Sequence, residues 1–80
     1  MPTVRVRYFA MLRDRRSPDG EEDFELPEGW SVSAIYAALF PPGPEGAVPV
    51  AYAVNQIYVR GDHKPIDGDE VAFIPPVGGG

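Results

Sequence analysis

The chain has no cysteine, which removes disulfides, thiolate metal sites, iron–sulfur clusters and cysteine nucleophiles together. It has one histidine, His63, and neither a second histidine nor a cysteine to join it. Beside Asp62 and Lys64 it reads as a loop residue, not as a base or a metal ligand. Long apolar runs are lacking too: Arg5, Arg7 and Arg13 interrupt the N-terminal stretch MPTVRVRYFAMLRD, so neither a signal peptide nor a membrane span is expected. The expectation is a cytoplasmic protein with no membrane partner. Positive charge is scarce, with 7 Lys and Arg against 12 Asp and Glu and a formal net charge of -5. Nucleic acid is therefore not an expected partner, because phosphate binding depends on clustered basic residues. Arg5, Arg7, Arg13, Arg15 and Arg16 do lie close in sequence, but Asp14, Asp19, Glu21, Glu22 and Asp23 surround the later ones, as on a solvated mixed surface.

The groups of an autonomous enzyme are missing as well. Ser31 and Ser33 have no base and orienting acid in the sequence around them, and no Gly-rich phosphate loop joins a strand to a helix. Asp67, Asp69 and Glu70 around Gly68 resemble a fragment of a calcium loop, yet the ordered twelve-residue ligand spacing is absent. A turn accounts for them better, and no metal site or bound cofactor is expected.

What is present is 80 residues, 44% of them hydrophobic, enough for one folded domain. A domain this small buries only about 60% of its unfolded surface, so function is expected on the surface or at an end. Thr3 to Phe9 alternate, with Val4, Val6 and Tyr8 on one side and Arg5, Arg7 and Phe9 on the other, the period of a half-buried strand. Leu12 to Gly20 reads as a loop ending in Pro18-Asp19-Gly20 turn chemistry, and Glu22 to Leu26 as the returning strand. Ser31 is placed to cap a helix from Val32 to about Phe40, with Val32, Ile35, Ala38 and Leu39 on its apolar face. Trp30 and Ile35 have the spacing of a hydrophobic staple, a structural use for the single tryptophan.

Pro41 to Gly46 stops that helix. Ala51 to Val54 and Ile57 to Arg60 flank Asn55-Gln56 as a tight hairpin, since Asn tolerates the left-handed conformation. Asp67-Gly68-Asp69 turns into a last strand, Glu70 to Ile74. The order implies an α+β fold, a mixed sheet with one main helix packed on one face. The division expected is a domain over 1–74 and an extended tail over 75–80.

That tail, Pro75, Pro76, Val77, Gly78, Gly79 and Gly80, leaves the last strand stiffly and ends without side chains. At about 3.3 to 3.6 Å per residue it reaches roughly 20 Å, far enough to enter a narrow channel on another protein. A carboxylate at Gly80, with a pKa near 3.5, is ionised at neutral pH and a poor acyl donor until activated. Adenylation followed by attack of a sulfur donor would leave a thiocarboxylate, a way to carry sulfur without cysteine. A mobile, inert Gly tail is the plain alternative.

Across nearly its whole length the sequence resembles the small subunits of molybdopterin synthase, the MoaD-type sulfur carriers with a ubiquitin-like β-grasp fold. VRYFAMLRD, LPEGWSVSAI, AVNQIYV and DGDEVAFIPPVGGG carry the resemblance, in order along the chain. It implies that Gly80 is adenylated by a MoeB-type enzyme using ATP, converted to a thiocarboxylate with the help of a sulfur donor protein, and inserted into a MoaE-type large subunit. Sulfur would pass there to cyclic pyranopterin monophosphate, with the catalytic groups on the large subunit and two subunits of each kind in the assembly. The small subunit would be a non-catalytic carrier. The same resemblance implies a docking patch at Phe9, Tyr58 and Ile74, with Tyr58 where an aliphatic residue is more usual. A ThiS-type carrier for thiamine thiazole synthesis and a ubiquitin-like protein modifier are the neighbouring alternatives.

Overall fold

Alternation in the first strand sets up the whole architecture. In the computed structural model, which describes residues 1–44 and 46–76, Val4, Val6 and Tyr8 are buried while Arg5 and Arg7 face solvent. The strand they form, β1 (Thr3–Tyr8), is followed by α1 (Met11–Arg15), β2 (Glu21–Glu25), α2 (Val32–Leu39), β3 (Ala51–Val54), β4 (Ile57–Val59) and β5 (Glu70–Ile74). The five strands make one sheet in the order β2-β1-β5-β3-β4. β1 and β5, from opposite ends of the chain, pair in parallel, and every other pair is antiparallel. This is the mixed α+β sheet with one main helix that the sequence implies.

The helix α2 covers one face. Ser31 caps it as expected: its backbone is extended at φ -86°, ψ 167°, and its side chain accepts a hydrogen bond from the Ala34 amide at 3.2 Å. The Val32 and Ser33 amides donate to the carbonyls of His63 and Gly61, so the loop before β5 completes the cap. Val32, Ile35, Tyr36 and Leu39 are its buried residues, with Tyr36 in the place expected of Ala38, which is exposed, and Phe40 ends the helix. Trp30 packs against the core beside Phe24, ring centroids 6.1 Å apart. Beneath the helix, Phe73 meets Tyr36 at 5.1 Å and Tyr52 at 5.9 Å, and Phe40 meets Tyr8 at 5.3 Å. Such aromatic contacts each add about 0.5–1.5 kcal/mol beyond the area they bury. The polar ends of these rings are bonded: Tyr36 donates to the Val48 carbonyl at 2.7 Å, which ties the proline-rich loop to the helix, and Tyr8 donates to Glu22 at 3.0 Å.

The segment expected as a loop over Leu12–Gly20 begins instead with the single turn of α1. Leu12 is fully buried in the core, while the Leu12 and Arg13 amides bond back to the carbonyls of Phe9 and Ala10. One buried side chain in five residues leaves no period to read, which is why only the Ser17–Gly20 turn showed in the sequence; that turn is present, closed by Gly20 N–H to Ser17 O at 3.0 Å. Gly20 sits at φ +74° with the Tyr8 carbonyl 2.9 Å from where a Cβ would stand, so this position requires glycine. Other boundaries move by one residue: β1 ends at Tyr8, β2 covers Glu21–Glu25, α2 ends at Leu39 and β4 at Val59. Among the described residues no helix is long and apolar enough to cross a membrane.

Candidate functional site

The face of the sheet opposite α2 is built by the residues between the core positions. Register places Arg7 beside Ala72, Ala72 beside Ala53, and Ala53 beside Tyr58, a single row running across four strands. Two alanines in the middle of that row leave a floor with nothing tall on it. Phe9, Tyr58 and Ile74 stand around the floor and enclose a hollow of about 240 Å³. The three residues expected as a docking patch, 65 positions apart at the extremes, thus share one depression. Phe9 is 39% and Tyr58 72% exposed, large apolar area left in solvent on a chain of this size.

Arg7, Gln56 and Glu70 complete the rim, and the sequence reading did not assign them to it. The Arg7 guanidinium lies 5.9 Å from the Phe9 ring centroid and 3.3 Å from a Glu70 carboxylate oxygen. Alternation in β1 already set Arg7 on the same side as Phe9; what could not be read was which strand lies beside it. Gln56 reaches the rim from the second position of the β3–β4 turn. Asn55 and Gln56 both have positive φ, 51° and 70°, the signature of a type I′ hairpin. Asn55 holds that turn against β5, with its amide donating to the Glu70 carbonyl, its side-chain oxygen accepting from the Glu70 amide, and its side-chain nitrogen donating to Asp69.

A second apolar hollow, about 330 Å³, lies where the chain leaves the sheet, lined by Pro49, Val50, Ala51, Ile74, Pro75 and Pro76. Ile74 borders both hollows, so one apolar surface runs from the hairpin to the root of the tail. Pro75, expected as the first residue of the inserted tail, is buried against the domain, and Pro76 is exposed, so the tail departs one residue later than expected. Val77, Gly78, Gly79 and Gly80 lie outside the described residues.

Several other polar residues are engaged structurally. The Ser31 and Ser33 hydroxyls contact each other at 3.0 Å at the helix cap. Asp67 accepts from the Thr3 amide, Asp69 from the Ile66 amide and Asn55, and Glu70 from Arg7, so the three carboxylates share no partner. Among the described residues no group of three His, Asp or Glu side chains could hold a metal ion. Arg5 pairs with Glu21 and Asp23, and Arg16 grips both oxygens of Glu22 while donating to the Leu39 carbonyl at the end of α2. The Arg16 bond holds the Glu22 carboxyl below the usual carboxylate range; partial burial opposes this and the Tyr8 hydroxyl adds to it.

Residues 6–80, nearly the whole chain, match the ThiS family. The chain belongs to that family. Similar curated proteins include the molybdopterin synthase sulfur carrier subunit of Escherichia coli (strain K12), 68% identical over 85 aligned residues that span 96% of this chain and 99% of the relative. Among solved structures, a putative molybdopterin converting factor subunit 1 from Pyrococcus furiosus superposes with a TM-score of 0.71 at 35% identity, covering 96% of this chain and all of the other. A chain in the complex of subunits 1 and 2 of molybdopterin-converting factor from Helicobacter pylori does so with a TM-score of 0.58 at 27% identity, covering 98% and 99%. The fold is accordingly the ubiquitin-like β-grasp of ThiS-family carriers, as the resemblance implied.

Proposed function

We propose that this chain is the sulfur carrier subunit of a molybdopterin synthase. The observation that carries this is the 68% identity to a sulfur carrier subunit over nearly the full length of both chains. The apolar surface that leads from the hairpin to the tail root supports it, because a carrier must present its tail to a partner in a fixed direction.

In this function the Gly80 carboxylate is the working group. A MoeB-type enzyme uses ATP to convert it to an acyl adenylate, a sulfur donor displaces AMP, and the resulting thiocarboxylate delivers sulfur to cyclic pyranopterin monophosphate inside a MoaE-type large subunit. The carrier itself binds no cofactor. Its own residues hold and aim: Phe9, Tyr58 and Ile74 dock on the large subunit, the buried Pro75 anchors the tail, and Pro76, Val77, Gly78 and Gly79 pass into the channel. Ordering three glycines there has an entropic cost that contacts within the partner must offset. The catalytic groups belong to the large subunit, in an assembly of two small and two large subunits.

Intact mass after incubation with the cognate activating enzyme, ATP and a sulfur donor tests the chemistry. The expected gain is about 16 Da, sulfur in place of one carboxylate oxygen at an activated acyl carbon, and a chain lacking Gly80 should show none. An unchanged mass, with the activating enzyme working on another carrier, would leave the tail inert and sink the proposal.

A further inference from the structure

We propose that Arg7 selects the docking partner, pairing with a carboxylate of the large synthase subunit next to the apolar side chain that fills the hollow between Phe9, Tyr58 and Ile74. This rests on the carrier function above and names the chemistry of its partner surface.

Three observations converge on Arg7. First, its place: it ends the row of small residues that floors the hollow, so anything seated between Phe9 and Tyr58 also covers the Arg7 side chain. Second, its bonding: its one ion pair among the described residues is a single 3.3 Å contact with Glu70. Arg5, two residues earlier on the same face, bonds two carboxylates, Arg16 bonds both oxygens of one carboxylate and a carbonyl, and Arg13 donates twice to the Pro18 carbonyl. A guanidinium has five N–H donors, so Arg7 keeps most of its capacity open at the rim. Third, its orientation: the Phe9 ring beneath it holds the planar head over apolar surface instead of letting it sweep through solvent.

An apolar partner alone would strip water from Arg7 and leave its donors unmet, which opposes association. A partner carboxylate removes that cost and matches the planar fork with two parallel hydrogen bonds. The overall charge of -5 sharpens the choice, because elsewhere a second acidic protein is repelled. Glu70 then acts as a brake: it competes for Arg7 and repels the incoming carboxylate.

The two rim charges therefore have opposite effects when each is neutralised. Titration calorimetry of the full-length chain with its cognate large subunit should show Arg7→Gln weakening association about tenfold, the scale of one charge-assisted contact at an interface. Glu70→Gln should tighten it, and Arg5→Gln, which removes the same charge from the same face, should change it less than about twofold. Thermal melts of each variant check folding. Weaker binding by Glu70→Gln would mean that the partner brings a cation to Glu70, and equal losses for Arg5→Gln and Arg7→Gln would reduce the effect to net charge; either overturns the proposal. Unchanged affinity of Arg7→Gln, with the wild type binding, overturns it while leaving the carrier function standing. No binding by the wild type removes both.

Discussion

The two faces of the sheet are made by alternate residues of the same strands and have opposite characters. On the helix side, Val6, Val71 and Val54 lie in one row and Tyr8, Phe73 and Tyr52 in the next, all within or packed against the core cluster. On the other side the corresponding rows hold Arg7, Ala72, Ala53 and Tyr58, and a hollow remains. Large residues under the helix stabilise the fold; small ones on the open face leave room for something the chain does not itself supply. A difference of a few methylene groups per position separates a core from a socket.

Substitutions one residue apart in β5 would break this contrast most clearly. Phe73→Ala should cost about 3–5 kcal/mol in urea unfolding, since it removes a fully buried ring that contacts Tyr36, Tyr52 and Phe40. Ala72→Leu should leave stability within about 0.5 kcal/mol yet weaken association with the large subunit by about tenfold or more, by filling the floor of the hollow. A loss of stability comparable to that of Phe73→Ala would show that the outer face is packed after all.

The smallest effect concerns a charge on the packed side. Glu22 is held ionised by Arg16, so its folded pKa lies below its unfolded one. The stability this contributes is fully present above the unfolded carboxylate pKa, near 4.3, and is lost as pH falls through the lower folded value. Glu22→Gln should therefore be less stable than the wild type at neutral pH and lose less on acidification. Parallel acid curves for the two proteins would mean that the Arg16 bond is not maintained in solution.

Much of the packed face was legible in the sequence. Val4, Val6 and Tyr8 alternate, Ser31 precedes a helical apolar period, and Asn55 announces a left-handed turn, each a local signal within a few residues. The opposite face, to which docking is assigned by proposal, was legible only in pieces. Phe9, Tyr58 and Ile74 came from family resemblance, and the structure sets them around one hollow, but the floor of Ala53 and Ala72 has no local signature because alanine is common everywhere. Arg7 and Glu70 meet only because β1 and β5 pair in parallel across more than sixty residues, a contact that neither strand's own pattern encodes. The turn of α1 stayed hidden because five residues are too few to show a helical period.

The parallel pairing has a mechanical consequence. β5, from which the tail continues, is bonded on both sides, to β1 and to β3. A tail drawn out along an edge strand would load a single ladder. Traction on this tail would run along β5 and load two ladders in shear together, a resistance that a tail leaving an edge strand would not meet.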